Sequence, residues 1–92
     1  MAMNKPFPTD VGILATYWKI AFVIVNLIDN NIRLKIHGFA SQQAREDGAQ
    51  PLQILDAVID GEEFHQDMTI AQMYDFLTHN PGQFEGAVNT DA

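Results

Sequence analysis

The strongest constraint on the fold is an apolar stretch, residues 19–38, that has the pattern of a β-hairpin. Its second arm alternates strictly, with Ile32, Leu34 and Ile36 separated by charged residues. Alternation with a period of two is typical of a strand that buries one face. The first arm does not alternate, because four apolar residues follow one another at positions 22–25. We therefore expect a sheet whose first strand needs cover on both faces.

The facing of the two arms follows from the turn that joins them. Asp29-Asn30-Asn31 favours a tight turn because Asn and Asp tolerate positive φ. A two-residue loop at either Asp29-Asn30 or Asn30-Asn31 puts Val23, Val25 and Leu27 beside the apolar row of the second arm, whereas a three-residue loop would exchange the partners. The opposite side is then a candidate interaction face, which ends at Ile28 and comprises Trp18, Ile20, Phe22, Ile24, Arg33, Lys35, His37 and Phe39.

Two further elements are expected after this hairpin. Residues 41–46 have the pattern of a short helical turn, with Ser41 as its cap. Residues 52–67 read as a second hairpin, in which Asp60-Gly61 is a type I′ turn signal. That register predicts that Asp56 lies opposite His65.

The clearest helix is predicted over residues 69–79. Thr69 and Gln72 have the spacing of a capping box, in which each side chain bonds the backbone of the other residue. One buried face follows from the i, i+3, i+4, i+7 spacing of Ile70, Met73, Tyr74 and Leu77. Asn80-Pro81-Gly82 is expected to end the helix.

Together these elements predict an α+β fold. We expect an antiparallel sheet of two β-hairpins, about four strands, packed on one C-terminal helix, with a short helical turn between the hairpins. Residues 1–12 are expected to be a flexible arm, residues 13–80 a single domain, and residues 81–92 a polar tail with Phe84 as an anchor. One helix covers one face of a sheet, so the tail, the 41–46 turn or another chain must cover the candidate interaction face.

Charge is divided unevenly along the chain. All five basic residues lie in the first 45 positions, and ten of the twelve acidic residues follow from position 46. The two halves either neutralise each other within one fold or make head-to-tail contacts between copies, so a homo-oligomer is considered. Nucleic acid is not an expected partner, because phosphate binding needs a clustered basic surface.

The sequence predicts a cytoplasmic protein without a membrane segment. The N-terminus lacks the charged start and continuous apolar run of a signal peptide. Lys19 and Asn26 interrupt the mostly apolar residues 11–28, which barely reach the length needed to cross a bilayer.

No catalytic, metal-binding or cofactor-binding residues are predicted, so an enzyme is not expected. The chain has no cysteine, and its histidines, at positions 37, 65 and 79, form no metal-binding spacing. The acidic residues of segment 60–67 would point to both sides of a strand, which does not suit a cation site. Glycines are scattered, with no phosphate-binding loop.

Residues 15–52 contain four short elements in a fixed order: Tyr17-Trp18, Gly38-Phe39, Ala44-Arg45 and Pro51-Leu52. This pattern resembles small proteins encoded in the structural gene clusters of tailed phages and prophages. The resemblance implies a virion or assembly component, and no activity. We therefore expect a non-enzymatic structural or protein-interaction module, associated with the virion if the resemblance holds. The alternative is a small ligand-binding or regulatory domain with a pocket between sheet and helix.

Overall fold

A computed structural model describes residues 2–9, 12–79, 82 and 84–90. Within them the fold is α+β, with an antiparallel sheet whose strand order is β4-β3-β2-β1-β5. This confirms the predicted class. The elements, in chain order, are β1 (Ala2–Pro8), β2 (Leu14–Asn26), β3 (Asn31–Phe39), α1 (Gln42–Glu46), β4 (Gln53–Ile59), a 3-10 turn (Gly61–Glu63), α2 (Ile70–His79) and β5 (Val88–Thr90).

The β2–β3 hairpin closes through a four-residue turn, residues 27–30, and not through the expected two-residue loop. Asn30 has a φ of 54°, as a left-handed turn position requires. Asn26 stabilises the turn, because its Oδ1 accepts hydrogen bonds from the backbone N–H groups of Ile28 and Asp29, both at 3.0 Å. The expected loop of two residues and the observed turn of four differ by an even number, so the facing of β2 relative to β3 next to the turn is unchanged. Val23 and Val25 therefore lie on the predicted side, opposite Leu34 and Ile32.

A β-bulge between Ile20 and Phe22 changes the facing of the first half of β2. On the N-terminal side of the bulge, Trp18 lies opposite Gly38 on the side of the sheet that packs against α2, and Ile20 packs on that side as well. Placing these two residues on the candidate interaction face was therefore wrong. An extra residue in one strand shifts the alternation by one position, and the hydrophobic pattern of a continuous apolar run does not reveal it.

The predicted second hairpin does not form. β4 pairs with β3, and a 3-10 turn follows it where a returning strand was expected. A type I′ turn needs positive φ at both central residues. Gly61 has a φ of +60°, but Asp60 is extended at −142°. Asp56 consequently lies opposite Lys35, and not opposite His65.

The N-terminal arm, expected from the sequence to be flexible, forms strand β1 over residues 2–8. β1 lies between β2 and β5, and β5 comes from the segment predicted as a polar tail. Pro6 falls where the β1–β2 register is irregular, between Asn4 and Phe7. A proline is tolerated at such a position because the ladder there needs no N–H donor. The predicted helix stop at Asn80 and Pro81 lies outside the described residues.

The core lies between the sheet and α2. Met73, Tyr74 and Leu77 of the helix are buried against the sheet, as predicted, whereas Ile70 is about half exposed. The capping box is confirmed: Thr69 Oγ1 accepts from the Gln72 N–H at 3.2 Å, and Gln72 Oε1 accepts from the Thr69 N–H at 2.8 Å. Sheet residues complete the core, with Trp18, Ile32, Leu34, Ile36 and Ile59 fully buried.

The two ends of the described chain close the core beside Trp18. Phe84 is buried, as predicted for an anchor, and its ring lies edge-on to Trp18 with the centroids 5.3 Å apart. Phe7 of β1 makes the same kind of contact with Trp18 at 5.3 Å. Among the described residues, no helix has the length and apolar character needed to span a membrane.

Candidate protein-interaction face

The side of the sheet opposite α2, here called the open face, is formed by alternate residues of three neighbouring strands. Strand register places these residues in rows across the face. The residues that β2 contributes are apolar next to the β2–β3 turn, most of those from β3 are basic, and most of those from β4 are apolar. The members are Tyr17, Lys19, Phe22 and Ile24 of β2, Arg33, Lys35, His37 and Phe39 of β3, and Ile54, Asp56 and Val58 of β4.

Two apolar pairs on this face are open to solvent. Phe22 and Ile24 of β2 are 56% and 52% exposed, and Ile54 and Val58 of β4 are 52% and 47% exposed. Complete burial of one such side chain stabilises a protein by about 1.5–3 kcal/mol, so these four side chains would contribute more stability if a partner covered them. Apolar side chains grouped in this way on a surface are typical of an interaction site.

Basic side chains lie between the two apolar pairs. Arg33 is level with Ile24 and Val58, and Lys35 is level with Phe22. Asp56 is the single acid among the open-face residues, and it pairs with Lys35 at 3.3 Å. Both partners are exposed, so the salt bridge contributes little stability. The open face is thus positive in a chain whose formal net charge is −7.

Ile24 and Val58, one residue from each apolar pair, border a shallow hollow on the open face. The hollow has a volume of about 270 Å³. Ile24 lies on its β2 side, Val58 on its β4 side, and Arg33, Lys35 and Asp56 contribute polar groups. A partner side chain that enters it would meet apolar walls and charged groups together.

The other end of the open face is closed by the chain itself. Tyr17 and Phe39 are buried there with Ala2, and their ring centroids are 6.4 Å apart. Thr16 Oγ1 donates to the Ala40 carbonyl at 2.7 Å, which fixes the chain where it leaves β3. Contacts within the chain therefore cover this end of the open face. The other end, next to the β2–β3 turn, has no such cover.

A second hollow, of about 400 Å³, lies where the closed and uncovered ends meet. Arg45 of α1 lies at its margin together with Lys19 and His37, and none of the described acidic residues lines it. The His37 ring also contacts Phe22, with centroids 5.9 Å apart. The apolar part of the lining comes from Ile20, Ala21 and Phe39.

The structure brings together half of the predicted interaction residues in exposed positions. Phe22, Ile24, Arg33 and Lys35 lie exposed on the open face, and His37 is half-buried. Three predicted members are not exposed on the open face: Phe39 is buried at the closed end, and Trp18 and Ile20 pack on the α2 side.

Sequence reasoning missed the β4 contribution to this face. Segment QILDAVI alternates, with Ile54, Asp56 and Val58 on one side and Leu55, Ala57 and Ile59 on the other. That signal was present in the sequence. The pairing of β4 with β3 depends on contacts between distant parts of the chain, which local alternation does not specify.

Among the described residues, no group of three or more His, Asp or Glu side chains is placed to hold a metal ion. Comparison with known proteins gives no family assignment, because no protein-family model, curated protein or solved structure matches the chain. The resemblance of residues 15–52 to phage structural-cluster proteins stays a prediction.

Proposed function

We propose that this chain is a non-enzymatic protein-interaction module that docks a partner protein on the uncovered end of its open face. The observation that carries the proposal is the arrangement of four exposed apolar side chains on either side of Arg33 and Lys35. Apolar contact area combined with charged groups at its margin is the usual composition of a protein interface, and arginine is enriched there.

The charge of the open face defines the chemistry of the partner surface. Arg33 and Lys35 are exposed, and Asp56 offsets only part of their charge. Packing the open faces of two copies against each other would bring like charges together, which opposes association. The partner surface is therefore one that carries apolar groups with carboxylates beside them.

The place of this module in a larger assembly is proposed from the sequence resemblance. Tyr17-Trp18, Gly38-Phe39, Ala44-Arg45 and Pro51-Leu52 support a role as a phage or prophage virion or assembly component. In that case the docked partner is another assembly protein, and the chain is found in purified particles. Mass spectrometry of such particles tests this part, since absence of the chain from particles and from their assembly intermediates would refute it.

Capture with matched variants tests docking on the open face. The face variant Phe22→Glu/Ile24→Glu places two carboxylates among the apolar pairs. The control variant Leu14→Glu/Ile70→Glu makes the same change at two similarly exposed apolar residues, one at the far end of β2 and one on α2. Circular dichroism and thermal melting establish that both variants fold.

We expect the wild type and the control variant to capture the same partner from extracts of producing cells after chemical cross-linking. The face variant should lose at least nine-tenths of that capture, because a carboxylate there is both desolvated and repelled by partner acids. Equal capture by the face variant, or equal loss with the control variant, would contradict docking on the open face.

The second candidate function is binding of a small organic anion in the 400 Å³ hollow. The specific observation is that three basic side chains, those of Arg45, His37 and Lys19, line the same hollow. A pocket of this size is within the range used for small ligands. Its lining residues come from β2, β3 and α1 and none of them from α2, so it is not the predicted pocket between sheet and helix.

Nuclear magnetic resonance titration with phenylacetate tests this candidate. Amide shifts at residues around the hollow that saturate, and that disappear in Arg45→Ala, would support anion binding. Equal shifts in wild type and Arg45→Ala would reject it.

A further inference from the structure

The outer edge of β4 is a free strand edge. β4 is the terminal strand of the sheet, and in the described part of the chain no strand pairs with its outer side. It is seven residues long and contains neither proline nor lysine, two residue types that commonly prevent edge pairing. Its alternate backbone N–H and C=O groups are thus available to another strand.

We propose that two copies of this chain associate by antiparallel pairing of β4 with β4 about a two-fold axis, forming one continuous ten-stranded sheet. The lengths of the two sheet edges favour this partner. The opposite edge is β5, with three residues, so head-to-tail pairing of β4 with β5 would offer at most three positions. Pairing β4 with itself uses all seven residues, and it closes the assembly as a dimer.

Side chains on the open face fit this pairing. A two-fold axis perpendicular to the sheet keeps the open faces of both copies on the same side. When the axis passes next to Asp56, Ile54 of each copy lies directly across from Val58 of the other copy. Both are β-branched and about half exposed in the single chain, so each gains cross-strand apolar contact from the pairing.

Charge at the centre of the pairing is balanced within each copy. The two Asp56 residues come opposite each other, and like charges in that position weaken pairing. Each Asp56 carboxylate already has the Lys35 ammonium 3.3 Å away on its other side. The interface row is therefore Lys35, Asp56, Asp56 and Lys35, and the pairing should be stronger when the central charge is removed.

Disulfide cross-linking tests the pairing and its register. The chain has no cysteine, so single substitutions give unambiguous products. Directly opposed residues of antiparallel strands have Cα atoms about 4.5–5.5 Å apart, which a disulfide can span. Lys35→Cys is the matched control, because its two copies in the dimer are three strand spacings apart, about 14 Å.

We expect Asp56→Cys to form a covalent dimer under mild oxidation at micromolar concentration, and Lys35→Cys to remain at least ten-fold less cross-linked. Light scattering should show that Asp56→Asn, which removes the opposed charges, dimerises at least three-fold more tightly than the wild type. Circular dichroism checks folding of each variant.

No cross-linking of folded Asp56→Cys, or equal cross-linking of both cysteine variants, would overturn the proposal. Weaker association of Asp56→Asn than of wild type would overturn it as well. These readouts do not depend on capture of a partner by the open face, so either proposal can fail without the other.

Discussion

At the scale of single residues, the fit between Trp18 and Gly38 determines how β2 and β3 pack. The Trp18 ring lies directly over Gly38, so that a Cβ atom added there would overlap Cζ3 of the indole. Trp18 is completely buried, and its Nε1 donates to the Lys5 carbonyl at 2.9 Å. The ring is therefore fixed by a hydrogen bond on one side and by close contact with the glycine on the other.

Gly38→Ala should lower the free energy of unfolding by about 1–3 kcal/mol, because overpacking forces the ring or the strand to move. Urea unfolding measures the change. In a double-mutant cycle, Gly38→Ala should cost less in the Trp18→Leu background, where the indole is absent. The same cost in both backgrounds would show that contact with Trp18 is not the cause.

Tyr74 is the residue whose ionisation should affect stability. Burial raises the pKa of its phenol above the ordinary value of 10.0, while the hydrogen bond from the Ile20 N–H acts in the opposite direction. That bond is 2.9 Å long and satisfies a backbone donor of β2 next to the bulge. A raised pKa means that the folded state keeps this proton at a pH where the unfolded chain loses it.

The contribution of the neutral Tyr74 should therefore be complete below about pH 10 and be lost as the pH rises through the folded pKa. Tyr74→Phe should reduce the free energy of unfolding at pH 7 by about 1–3 kcal/mol, since the Ile20 N–H loses its acceptor. The difference between wild type and variant should shrink from pH 9 to pH 11. A constant difference over that range would contradict the assignment.

At the scale of elements, local signals predicted α2 and the β2–β3 hairpin, but not the pairing of the other strands. The capping box of Thr69 and Gln72 and the buried positions of Met73, Tyr74 and Leu77 depend on residues three or four apart. They were read correctly from the sequence for that reason. Pairing of β1 with β5, and of β4 with β3, joins distant segments, and no local pattern encodes it.

The same limit explains how much of the candidate site was predictable. Alternation of β3 correctly placed Arg33 and Lys35 opposite the buried row. The bulge next to Ile20 moved two predicted residues to the helix side, because insertion of one residue inverts the facing beyond it. Ile54 and Val58 were not predicted as members of the open face, because the sequence does not show that β4 pairs with β3.

Leu77→Ala tests the packing of α2. Leu77 is buried in the core, so truncation should lower the free energy of unfolding by about 2–5 kcal/mol. Ile70→Ala is the matched control on the same helix and should cost about 1 kcal/mol or less, because Ile70 is about half exposed. Equal costs in urea unfolding would contradict the observed orientation of the helix.

At the scale of the whole molecule, one helix covers one side of a sheet, and the other side carries the proposed function. The core gathers its largest side chains on the α2 side, while the uncovered end of the open face keeps Phe22, Ile24, Ile54 and Val58 in solvent. The apolar run in β2 is thus divided between the two sides of the sheet. Its residues alternate, with Val23 and Val25 toward the helix side and Phe22 and Ile24 on the open face.

Hydroxyl-radical footprinting of the isolated chain and of its captured complex tests the central claim most directly. In the isolated chain, Phe22 should be oxidised several-fold faster than Phe84, because Phe84 is buried. In the complex, oxidation of Phe22 should fall at least five-fold, while that of Leu14, exposed outside the open face, should not change. Unchanged oxidation of Phe22 in the complex would show that the partner binds elsewhere and would contradict the proposed role of the open face.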